Sequence, residues 1–363
     1  MKNLAFLINN LSHGAGTERA TCVIANGLAD FGYKVTILSC REGMEYKFPI
    51  SDKVSVVSLK GEEIKNRVMR KAMLLKRLKE VIDREGIEIL VAVDVILIYY
   101  LLGVKAIHHT LKIIAWEHFN FYAKRSLARR LARRLSAKYA DAIVVLGERD
   151  LKNYKDKLRR IKRIVRIYNP VTVSLDTKSK LEEKTVLAVG RLTRQKGFDL
   201  LLEAWRYIEL EFRDWKLRII GDGEEKEALC NIIEKYNLRN VELLPYQKDI
   251  DQWYMHASIF ALSSRYEGFV LVMIEAMAKG LPVVSFNCKE GPYELIEDGI
   301  NGYLVDEGNI EGFAEKLKCL MIDEALREQF AEKTSRDLYK FDSKQVIAEW
   351  KSLIGLLREE EVV

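Results

Sequence analysis

The sequence predicts an α/β protein built from two doubly wound parallel-sheet domains. Segments with strand and helix periodicity alternate along most of the chain, which is the pattern of parallel α/β folds. The 363 residues exceed the roughly 250 to 300 that one core usually supports. Hydrophobic residues make up 48% and charged residues 31%, a composition that argues against extensive disorder and permits two sizeable cores.

The first domain is expected to cover residues 1–168. Its opening segment LAFLINN has the apolar character of a strand, TERATCVIANGLADFG carries an apolar helical face that ends at Gly32, and KVTILSC follows as the next strand. The longest apolar stretch, residues 89–104, is shorter than the about 18 to 20 residues that cross a bilayer. We expect a buried strand and then a buried helix there.

The same alternation returns in a second predicted domain over residues 185–342. Strand-like segments such as TVLAVG, KLRIIGDG and SIFALSS alternate with helical segments such as FDLLLEAWRYIEL and VLVMIEAMAKG. Residues 169–184 have neither period and open on an Asn-Pro turn signal, so we expect them to link the domains. Residues 343–363 are expected to contain a last amphipathic helix with Trp350 on its apolar face.

Composition and motifs disfavour several function classes. Five scattered cysteines without a C-x-x-C pair indicate neither a disulfide framework nor a zinc site, and they fit a reducing cytoplasm. The N-terminal segment is too short and wrongly flanked for a signal peptide. The D-x-D tripeptide at residues 249–251 precedes QWYMHA and suits a helix cap better than a metal site. We therefore expect a cytoplasmic protein without a metal ion or other cofactor.

Charge is distributed unevenly along the chain. Residues 1–170 contain 33 lysines and arginines against 17 acidic residues, a net charge of +16, whereas the remainder has a net charge of −10. Residues 124–166 alone have a net charge of +12. In this region, helical spacing over residues 121–140 aligns three leucines on one face and four arginines on another: Leu127, Leu131 and Leu135, and Arg129, Arg130, Arg133 and Arg134.

Such a basic helix favours contact with an anionic membrane surface, or with the diphosphate of a lipid-linked acceptor. A nucleic-acid groove is the main rival for a patch of this charge. Aromatic residues are sparse in the patch, and neither a helix-turn-helix nor a zinc motif accompanies it. We therefore expect no nucleic-acid partner.

Ligands of doubly wound sheets bind at the carboxyl ends of the strands, where the two domains are expected to face a shared cleft. After the first strand, Gly14 and Gly16 precede a helix whose N-terminus can hold an anion. Arg19 stands where a dinucleotide fingerprint requires a third glycine, so a plain tight turn is the alternative. In the second domain, Arg191 and Lys196 follow the first strand and can grip a phosphate.

Two glutamates flank the apolar part of RYEGFVLVMIEAMAKGLPVVSF, residues 265–286. Glu267 lies in the loop before the predicted helix, and Glu275 lies more than one turn inside it, among apolar neighbours that predict burial. A buried carboxylate needs polar partners, and sugar hydroxyls are suitable ones. The helix N-terminus between the two glutamates would face a diphosphate, so one nucleotide sugar satisfies all three features.

The stretch EGFVLVMIE resembles the E-x7-E signature of retaining glycosyltransferases of the GT-B fold, in the large bacterial group often called family 4. The segments GRLTRQKGFDLLLEAW, IIGDGEEKEAL, EAMAKGLPVVS and GPYELIEDGINGYLV stand around it in the order and approximate spacing of that family. The resemblance covers about residues 186–305 and extends weakly to the loop of Gly14 and Gly16. It implies two Rossmann-like domains, with the last helix returning to the first domain and Trp350 buried there.

By this resemblance, Glu275 binds the ribose hydroxyls, Glu267 the hydroxyls of the donor sugar, and Arg191 with Lys196 the diphosphate. The donor-binding loop between the glutamates contributes backbone amides from Gly268, Phe269, Val270 and Leu271. One departure is Val270, where many relatives have glycine.

His118 follows the strand LKIIAW, and its position resembles that of the histidine that contacts the donor sugar in relatives. His13 is the competing candidate. With Glu267, His118 is expected to carry the chemistry. No second carboxylate pair marks a covalent nucleophile. The family's same-face route is therefore expected, in which the acceptor attacks as the diphosphate leaves.

These features predict a retaining hexosyl- or N-acetylhexosaminyltransferase. It would move a sugar from a nucleotide donor, UDP-linked by expectation, to a polyprenyl-diphosphate-linked or other glycan precursor at the inner face of the cell membrane. A sugar-nucleotide epimerase on a similar frame is the enzymatic alternative. A peripheral anionic-lipid-binding protein without turnover is the non-enzymatic one.

Overall fold

A computed structural model of the chain describes residues 2–14, 16–43, 45–122, 126–288, 291–336 and 338–359. The chain divides into two compact units. Unit 1 comprises Met1–Pro170 and Tyr339–Val363, and unit 2 comprises Val171–Leu338. Each unit contains one parallel β-sheet with helices, so the predicted fold class is confirmed.

Unit 1 contains a sheet of seven strands within the described residues. The strands are β1 (Lys2–Ile8), β2 (Tyr33–Ser39), β3 (Val54–Ser58), β4 (Ile89–Val93), β5 (Lys112–Trp116), β6 (Ala142–Val145) and β7 (Ile164–Arg166). The first helices are α1 (Gly16–Asp30), α2 (Arg67–Glu85), α3 (Ile98–Lys105), α4 (Leu127–Tyr139) and α5 (Glu148–Lys157). The strand order is β3-β2-β1-β4-β5-β6-β7, and Leu4 of β1 pairs with Val35 and Ile89 on its two sides.

Unit 2 contains a six-stranded sheet in its described part, in the order β10-β9-β8-β11-β12-β13. The strands are β8 (Thr185–Val189), β9 (Lys216–Ile220), β10 (Val241–Leu244), β11 (Ile259–Leu262), β12 (Val283–Phe286) and β13 (Gly302–Val305). The helices are α6 (Phe198–Trp205), α7 (Lys226–Lys235), α8 (Asp251–Met255), α9 (Leu271–Ala278), α10 (Ile310–Ile322) and α11 (Glu324–Thr334). Short 3₁₀ turns lie at Gly61–Glu63, Val95–Leu97, Arg194–Lys196, Pro292–Glu294 and Leu338–Phe341.

Both sheets place their first strand near the centre, so the strand order reverses between β1 and β4 and again between β8 and β11. The carboxyl ends of these central strands are the switch points at which doubly wound sheets bind ligands. The central strands are almost entirely buried, because helices cover both faces of a parallel sheet. This burial explains their continuous apolar runs.

Residues 169–184 form neither helix nor strand. From Val171 onward the segment belongs to unit 2. Its side chains bind that unit directly: the hydroxyl of Thr177 accepts from Lys279 Nζ at 2.7 Å, and the Ser179 hydroxyl donates to the carbonyl of Ala257 at 2.6 Å.

The last helix, α12 (Ser343–Glu359), belongs to unit 1 and packs along α1. A Cβ atom at Gly27 of α1 would lie 2.1 Å from Ile347 Cδ1, so glycine permits this close approach. Trp350 is fully buried, as expected, and its ring lies 4.9 Å from that of Trp116 and 6.0 Å from that of Phe6. Among the described helices, none combines the length and apolar character needed to cross a bilayer.

Candidate functional site

The loops that follow β8 and β11 are joined at the switch point of unit 2. Gly197 has a φ of 63°, and a Cβ atom there would lie 2.1 Å from the carbonyl oxygen of Ser263. The Ser263 hydroxyl donates to the carbonyl of Lys196 at 3.0 Å, and the amide of Arg265 donates to the carbonyl of Gln195 at 2.8 Å. Backbone contacts therefore fix one loop against the other.

This joint brings Lys196 and Glu267 into a direct ion pair. The distance from Lys196 Nζ to Glu267 Oε1 is 2.7 Å, and the Ser264 hydroxyl donates to the same oxygen at 2.5 Å. Glu267 is only 4% exposed. Lys196 and Glu267 are thus neighbours, although the sequence analysis assigned Lys196 to the diphosphate and Glu267 to the sugar of one donor.

A second ion pair, which the sequence reasoning missed, reinforces the same joint. Arg265 donates through Nη1 and Nη2 to both carboxylate oxygens of Asp199, at 2.7 and 2.6 Å, and through Nη1 to the carbonyl of Arg194 at 2.9 Å. Burial would raise the pKa of Asp199, but the hydrogen bonds from Arg265 lower it overall. The available signal was positional, because Asp199 lies in the first turn of α6 and Arg265 precedes Glu267 by two residues.

The loop that follows β9 also packs against the loop after β8. A Cβ atom at Gly221 would lie 1.9 Å from the carbonyl oxygen of Gly190, and one at Gly223 would lie 2.2 Å from that of Leu192. Glycine is therefore required at both positions for this approach. Between the two contacts, Arg191 is exposed at the carboxyl end of β8.

Glu275 is fully buried inside α9, as predicted. Two protein hydroxyls contact its carboxylate: Tyr254 donates to Oε2 and Thr172 donates to Oε1, both at 3.1 Å. The need for polar partners that pointed to sugar hydroxyls is therefore met by the protein itself.

The segment between the two glutamates forms the N-terminus of α9. Gly268 and Phe269 are half-buried, Val270 is the N-cap residue, and Leu271 opens the helix. A Cβ atom at Gly291 would lie 2.8 Å from Val270 Cγ2, so glycine at 291 accommodates the larger side chain at 270. The first backbone N–H groups of α9 have no carbonyl acceptor one turn earlier in the helix. The N-terminus of α9 can therefore bind an anion.

The D-x-D tripeptide has a structural partner. Asp251 opens α8, and its carboxylate oxygens lie 2.8 and 3.0 Å from Nζ of Lys279, which is fully buried. Ile250, not an aspartate, is the N-cap residue. In the part of the chain that the structure describes, no group of three or more His, Cys, Asp or Glu side chains is arranged to hold a metal ion.

In unit 1, His118 follows β5 and is 8% exposed. Its ring lies 4.2 Å from that of Trp116. Burial lowers the pKa of His118 to about 4, against the opposing charge of Asp94, so the imidazole is neutral at pH 7. Its Nε2 is buried and has no hydrogen-bond partner among the described residues.

The competing His13 is exposed in the loop after β1. Gly14 lies in the same loop, and a Cβ atom there would come 3.3 Å from the flexible side chain of Lys47. Gly16 is the first residue of α1. The structure thus places the three residues around the start of α1.

The predicted faces of α4 are wrong in part. Arg129 and Arg133, expected on a basic face open to the membrane or the acceptor, are 5% and 3% exposed, whereas Leu127 and Leu131 are 80% and 49% exposed. Leu135 packs against the core of unit 1, and Arg130 and Arg134 are exposed as predicted. The exposed side of α4, with Leu127, Leu131, Arg130, Arg134 and Lys138, is called the outer face of α4 below.

Two carboxylates at strand ends account for the inward arginines. Arg129 donates through both terminal nitrogens to the carboxylate oxygens of Asp94, which follows β4, at 2.7 and 2.8 Å. Arg133 Nε donates to Oε2 of Glu117, which follows β5, at 2.7 Å, and the Tyr154 hydroxyl donates to the same oxygen at 2.8 Å. Burial raises the pKa of Glu117, and the charge of Arg133 opposes this rise.

Comparison with known proteins agrees with these features. The model of the family described as Glycosyl transferases group 1 matches residues 175–337, and the model described as Glycosyltransferase Family 4 matches residues 14–175. The chain is 31% identical over 373 residues to the amylovoran biosynthesis glycosyltransferase AmsD of Erwinia amylovora, covering 98% of this chain and 100% of that one. It is 27% identical over 367 residues to a Campylobacter jejuni enzyme, covering 98% and 99%.

That enzyme is named GalNAc-alpha-(1->4)-GalNAc-alpha-(1->3)-diNAcBac-PP-undecaprenol alpha-1,4-N-acetyl-D-galactosaminyltransferase. Among solved structures, HepE of Anabaena in complex with UDP and glucose superposes with a TM-score of 0.84 at 18% identity, covering 98% of this chain and 100% of that one. The fold is thus that of the GT-B glycosyltransferases. The chain belongs to the glycosyl transferases group 1 family and is a glycosyltransferase, so the epimerase and the non-enzymatic alternatives are set aside.

Proposed function

We propose that the protein is a retaining glycosyltransferase that moves a sugar from a UDP-linked donor to a lipid-linked or polysaccharide precursor. The relative in Erwinia amylovora is named for the biosynthesis of amylovoran, and the relative in Campylobacter jejuni is named for an undecaprenol-linked glycan. The HepE structure contains UDP and glucose. These three names support a UDP-sugar donor and a glycan acceptor.

The observation that carries the proposal is the Lys196–Glu267 ion pair beside the N-terminus of α9. Lys196, with Arg191, would bind the diphosphate, while Glu267 would bind hydroxyls of the transferred sugar. Backbone amides at the start of α9 would add positive electrostatic potential that stabilises the bound diphosphate. Glu275, held by Tyr254 and Thr172, would accept hydrogen bonds from the ribose.

Leaving-group stabilisation is the main contribution expected from these groups. When the bond between the anomeric carbon and the diphosphate oxygen breaks, the departing UDP gains negative charge. Fixed cations and amides stabilise this charge without reorganising, and one such donor contributes about 2.7 to 4 kcal/mol in other enzymes. The acceptor oxygen then bonds to the anomeric carbon on the same face, and its proton passes to the diphosphate.

In this mechanism His118 contacts the donor sugar as a neutral imidazole, because burial keeps its pKa near 4. The reaction is proposed to need no metal ion, since Lys196 and Arg191 supply the positive charge at the diphosphate. EDTA should therefore leave the transfer rate unchanged. A rate that EDTA abolishes and magnesium restores would contradict this part of the proposal.

The outer face of α4 is proposed to lie on the anionic cytoplasmic surface of the membrane. It combines two exposed leucines with the exposed cations Arg130, Arg134 and Lys138. Exposed apolar side chains bordered by cations are typical of helices that lie in the interface. The buried Arg129 and Arg133 take no part in this contact.

The proposal is tested first by measuring UDP release from UDP-glucose, UDP-GlcNAc and UDP-GalNAc, with and without an undecaprenyl-diphosphate-linked sugar. Release from one donor should depend on the acceptor, and NMR of the product should show the donor's anomeric configuration. Inverted configuration would refute the retaining mechanism. A thermal-shift screen of nucleotides selects the donor beforehand, because a bound ligand raises the melting temperature with its occupancy.

The ribose contact is tested by Glu275→Gln, since glutamine keeps the size, and its amide can accept from one of the buried hydroxyls of Tyr254 and Thr172 and donate to the other. The KM for the donor should rise roughly tenfold, as expected for the loss of one charged hydrogen bond. Glu227→Gln, at an exposed position of α7, is the matched control. An unchanged KM in a folded Glu275→Gln variant would remove the ribose assignment.

A further inference from the structure

The loop over residues 117–121 carries His118, and buried arginine side chains of α4 bind this loop. We propose that Arg133 is the positioning residue of His118, because its guanidinium holds the chain on both sides of the histidine. This inference rests on the proposed contact between His118 and the donor sugar. It assigns a role in the reaction to an arginine of α4 that touches no substrate.

The contacts of Arg133 divide around His118. On the N-terminal side, Nε donates to the carboxylate of Glu117 at 2.7 Å. On the C-terminal side, Nη2 donates to the carbonyl of Asn120 at 2.9 Å, and Nη1 donates to the carbonyl of Phe121. One buried side chain thus has three acceptors within five residues of loop.

The carboxylate of Glu117 is itself held from more than one direction. Besides Arg133, the Tyr154 hydroxyl donates to Oε2 at 2.8 Å, and Arg129 Nη1 lies 3.4 Å from Oε1. Glu117 and Tyr154 are both buried. The amide of Glu117 also donates to the carbonyl of Val144 at 2.9 Å. The residue immediately before His118 is therefore anchored at both its side chain and its backbone.

His118 contributes little to its own orientation. Its buried Nε2 has no hydrogen-bond partner in the described part of the chain, and its ring rests on Trp116 at 4.2 Å. The direction in which Nε2 points is consequently set by the loop backbone and by this aromatic contact. A shift of the loop by 1 Å would carry the imidazole with it.

An arginine is required for this arrangement. The guanidinium presents five donors in a rigid planar fork, whereas the ammonium group of a lysine is a compact charge at one point. Lysine at position 133 would keep the positive charge opposite Glu117 but would not reach Asn120 and Phe121 together. Arg133→Lys therefore separates the positioning role from the mere presence of a buried cation.

The decisive experiment is a double-mutant cycle between Arg133→Lys and His118→Ala. Transfer rates with the acceptor are measured for both single variants and the double variant, using UDP-glucose, UDP-GlcNAc and UDP-GalNAc, together with the affinity for UDP. Arg133→Lys should lower kcat about 10- to 100-fold, the loss typical of a small misplacement, and leave UDP affinity within about twofold. In the His118→Ala background the same substitution should cost less than about twofold.

Equal losses in both backgrounds would overturn the inference, because Arg133 would then act independently of His118. An Arg133→Lys variant with an unchanged rate would overturn it as well. If His118→Ala alone leaves transfer unchanged, the proposed contact with the donor sugar fails, which is a distinguishable result. Arg213→Lys is the matched control, since this arginine of unit 2 is exposed, and its rate should not change.

A second readout does not depend on the donor. NMR of protein labelled at histidine, with His118 assigned from His118→Ala, should show that this imidazole stays neutral at pH 5 in the native protein. In Arg133→Lys a loosened loop admits water, so its titration should move toward the ordinary histidine pKa of about 6.5. An identical titration in both proteins would contradict the positioning role.

Tyr154→Phe provides a milder variant should Arg133→Lys fold poorly. It removes only the hydroxyl that donates to Glu117 and keeps the buried ring. We expect a loss in kcat of about three- to tenfold, again largely absent in the His118→Ala background. Additive losses with this variant would also overturn the inference.

Discussion

Both units pair charges at the switch point of their sheets, but the cations come from different kinds of element. In unit 2, Lys196 and Arg265 lie in the loops that follow β8 and β11, and their partners lie in or next to the same loops. In unit 1, Arg129 and Arg133 extend from the first two turns of α4 to carboxylates that follow β4 and β5. A charge beside a strand end is therefore readable in the sequence, whereas the direction of a charge on a helix is not.

The orientation of α4 has a physical explanation in its small residues. Ala132, Ser136 and Ala137 are buried together with Arg129 and Arg133, at the spacing of one helical face. Small side chains let this face approach the sheet, so the guanidinium groups reach the strand ends. Burying an ion pair is costly unless its hydrogen bonds are satisfied, and the arginines on this face meet carboxylates and carbonyl groups.

The comparison is tested most strongly by removing one inward arginine. Arg129→Met leaves the carboxylate of Asp94 without its bidentate partner, so the free energy of unfolding should fall by about 3 to 5 kcal/mol. Arg130→Met, one residue along the same helix but exposed, should change it by less than about 0.5 kcal/mol. Urea denaturation of both variants measures the difference in the free energy of unfolding. Equal stabilities would contradict the burial of Arg129 against Asp94.

In unit 2, the loop cation should matter most for turnover. Lys196→Met should lower kcat/KM about 100- to 1,000-fold, because the leaving diphosphate loses a fixed positive charge. Arg194→Met removes an exposed cation from the same 3₁₀ turn and should leave the rate within about twofold. Steady-state kinetics with the selected UDP-sugar decides between them. Similar losses in the two variants would mean that charge in general, not this position, supports transfer.

The outer face of α4 should control binding to membranes. Replacing Arg130 and Arg134 together by glutamine should weaken binding to vesicles that contain phosphatidylglycerol by about 2 kcal/mol, or roughly 30-fold, at about 1 kcal/mol per cation. The pair Arg213→Gln and Lys226→Gln, at exposed positions of unit 2, is the control and should bind as the native protein does. Identical sedimentation of the two double variants would remove the membrane contact.

The smallest expected effect concerns a charge cluster at the amino end of β6. The carboxylate of Asp141 contacts Nζ of Lys105 at 2.5 Å and of Lys162 at 2.9 Å, and it accepts from the amide of Ile113 at 2.8 Å. Burial would raise the pKa of Asp141, but these hydrogen bonds lower it overall. Asp141→Asn should therefore cost about 1 to 2 kcal/mol at pH 7 without changing the activity of the folded protein.

The pH dependence of this effect follows from the sign of the shift. The folded pKa of Asp141 lies below its unfolded value of about 3.9, so the contribution is fully present above that pH and disappears as the pH falls below it. Denaturation of the native protein and of Asp141→Asn at pH 7 and near pH 3 measures this change. A difference in stability that stays constant between the two pH values would contradict it.

Much of the candidate site could be predicted because its residues are close in sequence to strand ends. Lys196 and Glu267 each follow a strand by a few residues, so the alternation of apolar segments was enough to bring them to one edge of a sheet. The burial of Glu275 followed from its apolar neighbours. The pairing of Arg265 with Asp199 could not be predicted, because it depends on how two loops 66 residues apart are packed.

The sequence by itself determined the fold class, the order of the two units and the edge at which their charged loops lie. Hydrophobic periodicity and turn residues act over short distances along the chain, and they are sufficient for these features. Only the tertiary structure decided which arginines of α4 are buried, which hydroxyls bind Glu275, and how Arg133 binds the loop that carries His118. Each of these depends on partners distant in the sequence, and a buried charge is stable only where such partners converge.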